Sequence, residues 1–196
     1  MTSDAYQEQF NLLVGQGYRL VLVDGYTISG EAQFAAIWDK SSGPAWVARH
    51  NLTSSQFQQA FDNYVSQGYR LKIVSGYAQG NVAYYAALWE QSGTNVTWVA
   101  RDGMTSSDYQ NFFNTYVADG YRLLLVSGYV VNNVDYYAAI WDKSPSGPWV
   151  ARHGLTSEGY QTEFNKWVGQ GYRLTVVSGY TLDSDQDRYA AIWYKE

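Results

Sequence analysis

Apolar residues recur first with the spacing of a helix and then with the spacing of a strand, and this succession repeats along the whole chain. In one stretch the apolar residues recur at the spacing of a single helical face: Phe57, Phe61, Tyr64 and Val65. Beyond Gly68, apolar residues alternate with polar ones, which is the period of a half-buried strand. The pattern therefore predicts an amphipathic helix that ends at a glycine and is followed by strands.

Capping residues mark both ends of this predicted helix. Thr53 can cap its N-terminus, and Gln56 three residues later completes a capping-box pattern. Leu52 and Phe57 flank the cap as a hydrophobic staple. We expect a glycine in the left-handed conformation to end each helix, at Gly17, Gly68, Gly120 and Gly171.

Three short phrases recur in a fixed order along the chain. Gly-Tyr-Arg-Leu begins at Gly17, Gly68, Gly120 and Gly171, at intervals of 51, 52 and 51 residues. An aromatic-Ala-Ala-(Ile/Leu)-Trp phrase ends at Trp38, Trp89, Trp141 and Trp193, whereas Trp-Val-Ala-Arg begins only at Trp46, Trp98 and Trp149. We therefore predict one repeat domain over 1–196 with copies at 1–50, 51–102, 103–153 and 154–196, the last without its final strand.

Each copy is predicted to hold one helix and three strands. In the second copy the first strand ends near Tyr77 and the second spans 85–89. Because strands joined by short loops usually pair antiparallel, we expect an α+β fold with a three-stranded antiparallel meander in each copy. The meanders would form a curved sheet, barrel or half-barrel with the helices packed on one side. The absent strand predicts an open edge that can pair with another chain.

Composition and charge exclude several classes of protein. The 196 residues are 46% apolar and only 16% charged, which does not fit a disordered chain. The net charge of -5 argues against nucleic acid as a partner, and no apolar run is long enough to span a membrane. The absence of cysteine excludes disulfides and thiolate chemistry. The chain opens without a signal-peptide pattern.

The end of each predicted third strand carries the best polar candidates for a ligand site. These are Arg49 and His50, Arg101 and Asp102, and Arg152 and His153. An arginine beside a histidine can bind a carboxylate or polarise a carbonyl group. A capping or surface role is the alternative that this pattern favours, because the second of the three pairs has aspartate in place of histidine.

Aromatic residues provide the second group of candidates. Tyr84 and Tyr136 lie beside the variable loops, where we expect them to be exposed and able to stack on a ligand. The tryptophans that open the third strands recur in three copies and are interpreted as core. The acidic segment 183–187 resembles the opening of a calcium loop, but the positions that follow do not fit one. We therefore predict no metal site and no cofactor.

The recurring phrases as a set resemble a known family. Leu-Thr-Ser, Val-Ser-Gly-Tyr, Tyr-Ala-Ala-Ile-Trp and Trp-Val-Ala-Arg-His are similar to the bacterial tandem repeat domain, whose repeats also form the N-terminal part of fungal polyglycine hydrolases. The resemblance covers all four copies. In that family the repeats often accompany a serine-hydrolase domain resembling β-lactamases, and this chain has no Ser-x-x-Lys in a catalytic-domain context. The resemblance thus implies an accessory module and an extracellular, secreted protein.

Three functions remain open at this point. The leading hypothesis is a non-enzymatic recognition module for a protein or a glycan, accessory to a serine-hydrolase-type catalytic domain. The second is a structural or engineered repeat scaffold with no ligand of its own. The third is a hydrolase that uses the arginine and histidine of the strand ends. Motifs of serine hydrolases, zinc proteases and nucleotide-binding enzymes do not occur in the sequence.

Overall fold

The computed structural model describes residues 1–93, 95–182 and 186–195. Contacts divide the chain into two compact units, Met1–Asn95 and Val96–Glu196. The first unit contains α1 (Ser3–Gly15), β1 (Arg19–Ile28), β2 (Glu31–Asp39), β3 (Trp46–Thr53), α2 (Ser54–Ser66), β4 (Tyr69–Gln79) and β5 (Val82–Gln91). The second contains β6 (Trp98–Thr105), α3 (Ser106–Ala118), β7 (Arg122–Val131), β8 (Val134–Asp142), β9 (Trp149–Leu155), α4 (Ser157–Gly169), β10 (Tyr172–Leu182) and β11 (Gln186–Lys195).

Each helix begins directly after a threonine cap, as the sequence predicts. The Thr53 hydroxyl accepts a hydrogen bond from the backbone N–H of Gln56, whose side chain bonds back to the Thr53 backbone. Thr105 and Asp108 form the same capping box in α3. The glycines that follow the helices adopt the expected positive φ, namely Gly17 (82°), Gly68 (83°), Gly120 (80°) and Gly171 (81°).

One aromatic contact joins every helix to its hairpin. The first aromatic ring of the helix lies on a ring of the second strand, with centroids 5.0 to 5.1 Å apart, in Tyr6–Phe34, Phe57–Tyr85, Tyr109–Tyr137 and Tyr160–Tyr189. The tryptophan four residues further along that strand lies 6.1 to 6.4 Å from the same helical ring. Such pairs contribute about 0.5–1.5 kcal/mol each beyond their buried area. The amphipathic pattern of the sequence therefore forms the core of each copy.

The strands of the described residues form four antiparallel sheets, with the second strand of each hairpin paired to the first. Their orders are β1-β2, β3-β5-β4, β6-β8-β7 and β9-β11-β10. The predicted helix with a three-stranded antiparallel meander is confirmed, and the first sheet has two strands. The sheets are not closed, so the barrel that we considered is not formed by the described residues. Where β1 meets β4, the backbone N–H of Gly25 donates a hydrogen bond to the Ser75 hydroxyl, so a side chain of β4 joins the two sheets at this point.

The third strand differs from the expectation in one respect, because it joins the sheet of the following copy. β3 pairs with β5, with Val47 opposite Trp89 and Arg49 opposite Ala87. β6 and β9 pair in the same way with β8 and β11. The physical reason is covalent continuity: Thr53 is the last residue of β3 and also the cap of α2. Because no loop separates β3 from α2, the strand stays beside the hairpin on which α2 packs.

Candidate functional site

The third strand carries side chains to two different copies, because successive side chains of a strand point to opposite sides. Trp46 lies against Phe10 of α1, with ring centroids 5.8 Å apart, whereas its neighbour Val47 is opposite Trp89 of β5. In the second unit, Trp149 lies 5.8 Å from Phe113 of α3 while Val150 is opposite Trp193. The strand therefore links consecutive copies within a unit.

The strand-end arginines bind the helix that follows them. The guanidinium of Arg49 lies 5.6 Å from the ring centroid of Tyr64, and that of Arg101 lies 5.2 Å from Phe112. The Nε atom of Arg101 also donates a 3.0 Å hydrogen bond to the hydroxyl of Tyr116. Cation–π contacts of this kind stabilise by about 0.5–1 kcal/mol at exposed sites. These two arginines hold a helix against a strand.

Arg152 makes the most elaborate contact of this type. Its guanidinium lies 5.6 Å from the Trp167 ring, and its Nε atom is 3.0 Å from the carboxylate of Glu163. That carboxylate also accepts a 2.7 Å hydrogen bond from the indole N–H of Trp167. The charge of Arg152 is thus satisfied within α4.

The two histidines point away from their neighbouring arginines and into aromatic clusters. His50 meets Tyr6 and Phe34 edge-on, with centroids 4.9 and 5.3 Å away. His153 meets Tyr109 and Tyr137 at 4.7 and 5.2 Å. Burial lowers the pKa of His50. It also lowers the pKa of His153, although the negative charge of Asp135 acts in the opposite direction and raises it. Both imidazoles are therefore neutral over a wider range of pH than a free histidine.

The remaining candidate residues are placed separately. Asp102 is half-buried on β6, at the position that His50 and His153 hold on their strands. Tyr84 and Tyr136 are half-buried in the sheets and not exposed in loops. Each stacks on the tyrosine opposite it, with centroids 6.2 Å apart for Tyr77–Tyr84 and 5.9 Å apart for Tyr129–Tyr136.

A cleft of about 310 Å³, lined by charged and aliphatic side chains, lies between the first two copies. At its wall the Arg19 guanidinium is 2.6 Å from the carboxylate of Glu90, and their side chains are 11% and 23% exposed. Hydrogen bonds from the hydroxyl and the backbone N–H of Ser41 lower the pKa of Asp39, which also lines the cleft. Because two carboxylates offset Arg19 and Lys72, the cleft carries no excess charge that would select an ionic ligand.

Where consecutive copies meet, a tyrosine ring of one copy lies directly on a glycine of the other. A Cβ built on Gly25 would lie 2.3 Å from the ring of Tyr77, and one on Gly128 would lie 2.3 Å from the ring of Tyr180. The Ser75 and Ser178 hydroxyls accept 3.0 Å hydrogen bonds from the backbone N–H of Gly25 and Gly128 respectively. Sequence reasoning missed these glycines, although a glycine inside a strand pattern is a signal of close backbone approach.

The outer edge of β2 is the place where the repeat pattern is interrupted. Met1 and Thr2 lie along part of it: the backbone N–H of Phe34 donates a 2.7 Å hydrogen bond to the Met1 carbonyl, and Thr2 forms a bridge with Gln33. Within the described residues, no strand continues this pairing from Ala35 to Asp39. Trp38 is consequently only half-buried, whereas Trp89, Trp141 and Trp193 are fully buried.

The described residues contain no group of three or more acidic or histidine side chains that could hold a metal ion. Of the acidic segment 183–187, which resembles the opening of a calcium loop, residues 183–185 lie outside the described residues. None of the described helices is both long and apolar enough to cross a membrane.

Comparison with protein families identifies the repeat itself. The model of the polyglycine hydrolase-like structural repeat matches the chain four times in tandem, at residues 1–41, 43–92, 95–144 and 146–196. Each of the last three matches begins just before a third strand and ends with the hairpin that pairs with this strand. Each of these matches therefore covers the strands of one sheet. With four matches that cover nearly the whole chain, this protein belongs to the polyglycine hydrolase-like structural repeat family.

Proposed function

We propose that the chain is a non-enzymatic recognition module that binds a segment of another protein as an added strand on the outer edge of β2. The observation that carries this proposal is the half-buried Trp38 beside an open strand edge. At the three equivalent positions a valine of the third strand lies opposite the tryptophan, which is then fully buried. An exposed edge of this kind is a template for strand addition.

The occupied sheets indicate which ligand the edge selects. An antiparallel ligand strand would place a valine opposite Trp38, as Val47 lies opposite Trp89. Two residues later the third strands carry an arginine that stacks on Tyr64, Phe112 or Trp167. In α1 the residue at the position of Tyr64 is Leu13. The ligand is therefore expected to carry an apolar residue there in place of arginine.

A protein ligand is favoured over a glycan by the position of the aromatic residues. Tyr84 and Tyr136 are engaged in cross-strand stacking, which leaves less of each ring for a sugar. A strand edge offers backbone N–H and C=O groups, which pair with a polypeptide. The strand-end candidates, from Arg49 to His153, then act in this proposal as links between copies.

The accessory and non-enzymatic parts of the proposal rest on two further observations. The family is described as a structural repeat, with a name that refers to polyglycine hydrolases. His50 and His153 are held by aromatic rings on separate sheets and point away from the adjacent arginines. We infer that a serine-hydrolase-type domain supplies the catalysis and that the repeats supply recognition.

The test uses the sequence of the third strand as a free peptide. A peptide with the sequence of residues 44–50 is titrated into the intact protein by calorimetry, beside a scrambled peptide. Saturable binding by the first peptide alone is expected, with new hydrogen-exchange protection at the amides of Ala36 and Trp38. Replacing the peptide's arginine by leucine should maintain or increase the affinity because Leu13 lies opposite.

Methylated peptides provide the matched control. Gln91 donates its backbone N–H to the Ala45 carbonyl, so in β3 the amides of Val47 and Arg49 point to the partner strand and that of Ala48 points away. N-methylation at the valine should abolish binding, and N-methylation at the following alanine should not. Equal binding of all peptides, or none, would contradict the proposal and favour the alternative of a scaffold without a ligand. A glycan array that gives binding while the peptide does not would contradict it as well.

A further inference from the structure

The two Gly–Tyr contacts define a repeated interface with two unlike sides. On one side, the leading surface of a copy carries an aromatic ring and three aliphatic side chains: Tyr77, Ile73, Ala86 and Leu88 in the second copy. On the other, the trailing surface of the preceding copy carries a glycine and two aliphatic side chains: Gly25, Leu20 and Val23. The fourth and third copies meet in the same way, with Tyr180 on Gly128.

The leading surface of the first copy has the same composition but is exposed. Its residues at these four positions are Leu22, Tyr26, Ala35 and Ile37. Tyr26 and Leu22 are each 37% exposed and Ile37 is 55% exposed, whereas Tyr77 and Leu88 are only 1% and 2% exposed. A contiguous apolar surface of this type on a folded domain indicates a binding site.

The trailing surface of the fourth copy is exposed in turn. Val177 is 50% exposed, whereas its counterparts Val23 and Val126 are 1% and 2% exposed. Gly179, at the position of Gly25 and Gly128, is also exposed. A Cβ built on Gly179 would meet only the Tyr189 ring at 3.5 Å, an ordinary contact distance. The space that a tyrosine occupies over Gly25 is therefore open over Gly179.

From these two surfaces, both exposed in the part of the chain that the structure describes, we propose that the protein associates head to tail, with the leading surface of one molecule on the trailing surface of a second copy. The ring of Tyr26 would lie on the backbone of Gly179, as Tyr77 lies on Gly25. Leu22 and Ile37 would then cover Val177, as Ile73 and Leu88 pack with Val23. The occupant is a second copy of this chain because its trailing surface carries a glycine and a valine at the positions that the next copy covers within the molecule.

One polar substitution in the first copy fits the same contact. Asp24 holds the position of Ser75 and Ser178, whose hydroxyls accept a hydrogen bond from a glycine N–H. The Oδ1 atom of Asp24 already accepts a 2.7 Å hydrogen bond from the Ser75 hydroxyl within the molecule, so in this proposal the second oxygen of the carboxylate accepts the bond from the N–H of Gly179. The interface is heterologous, so it can extend through several molecules.

The experiment is sedimentation velocity over a wide range of protein concentration. The wild-type protein should show a mass that rises with concentration. Gly179→Ala places a Cβ where the ring of Tyr26 would lie, while Tyr26→Ala removes the ring. Each variant alone is expected to stay monomeric, with association weakened at least about tenfold by the clash or the lost contact.

A mixture of the two variants separates this interface from any other. Gly179→Ala keeps an intact leading surface and Tyr26→Ala keeps an intact trailing surface, so an equimolar mixture should form a heterodimer and nothing larger. Leu12→Ala, at a 52% exposed position of α1, is the control and should associate like the wild type. Circular dichroism checks that each variant folds, and Ile37→Arg replaces Tyr26→Ala if that variant does not.

Two results would overturn the proposal. One is a wild-type protein that remains monomeric at every concentration. The other is association that persists in both variants, because a different surface would then mediate it. Neither result bears on the edge of β2, since strand addition uses the backbone of Ala35–Asp39 and association uses the surfaces of the sheets.

Discussion

The ring of Tyr77 lies directly on the backbone of Gly25, so that a Cβ on this glycine would stand 2.3 Å from the ring. No real side chain is tolerated at that distance, and the atoms in the way belong to a ring that is 1% exposed and packed on all sides. The glycine is thus required by packing between copies, since its own φ is not in the left-handed region.

The first prediction concerns this contact. Gly25→Ala should lower the free energy of unfolding by about 1–3 kcal/mol, the usual effect of overpacking a core. Gly128→Ala should act alike, because its Cβ would lie 2.3 Å from the Tyr180 ring. Chemical denaturation followed by tryptophan fluorescence measures both effects.

The same substitution in the fourth copy is the matched control. Gly179→Ala would meet Tyr189 at 3.5 Å and should change the stability by less than about 0.5 kcal/mol at a concentration where the protein is monomeric. If all three alanine variants lost stability equally, the cause would be the strand conformation of glycine and not the tyrosine above it.

Much of the fold follows from the sequence because local chemistry determines it. The helix cap at Thr53 and the positive φ of Gly68 each depend on residues within a few positions. The partner of the third strand does not, because any open strand edge accepts the backbone of another strand. Only the continuity of β3 with α2 assigns it to the next sheet.

The candidate site could be predicted from the sequence less well than the fold, because residues that are adjacent in a strand do not form one site. Arg49 and His50 are adjacent in sequence, and their adjacency suggested a joint site. In a strand, however, adjacent side chains point to opposite sides, and these two contact Tyr64 and Tyr6 respectively. The sequence predicts one open edge but assigns the absent strand to the fourth copy; because each third strand joins the following sheet, the open edge among the described residues lies beside Trp38 in the first.

The second prediction concerns the ion pair between Arg19 and Glu90. Glu90→Gln keeps the size of the side chain and removes the charge that compensates a guanidinium whose side chain is 11% exposed. The expected loss is about 2 kcal/mol in the free energy of unfolding, since a buried charge loses its partner. The exposed pair of Lys143 and Asp119 is the control, where Asp119→Asn should cost less than about 1 kcal/mol. Equal effects would show that Arg19 is already solvated.

The third prediction is a loss of stability in mild acid. Burial lowers the pKa of His50 and of His153, so the unfolded chain binds the proton more tightly than the folded protein does. Stability should therefore be complete above the unfolded-state pKa of about 6.5 and should decrease as the pH falls from there to the folded-state pKa. Replacing both histidines by glutamine should flatten this part of the pH profile.

NMR titration of the two imidazoles gives the direct check on that prediction. Both midpoints should lie below about 6.5, the value of a free histidine. Asp135→Asn removes a charge that raises the pKa of His153, so it should lower that midpoint and leave His50 unchanged. A midpoint at or above the value of a free histidine would mean that the aromatic clusters open to solvent.

The fourth prediction concerns the hydroxyl of Tyr77 on β4, which forms hydrogen bonds with Asn51 of β3 in the same sheet. It accepts a 2.9 Å hydrogen bond from the Asn51 backbone N–H and donates one of the same length to its side-chain oxygen, while Asn51 adopts a φ of 54°. Tyr77→Phe leaves this N–H without its partner, so we expect a loss of about 1–2 kcal/mol in the free energy of unfolding. Tyr26→Phe, at the equivalent but 37% exposed position, should change it by less than about 0.5 kcal/mol. If the two variants were equally stable, water would have to replace the Tyr77 hydroxyl at Asn51, and the left-handed conformation of Asn51 would not depend on Tyr77.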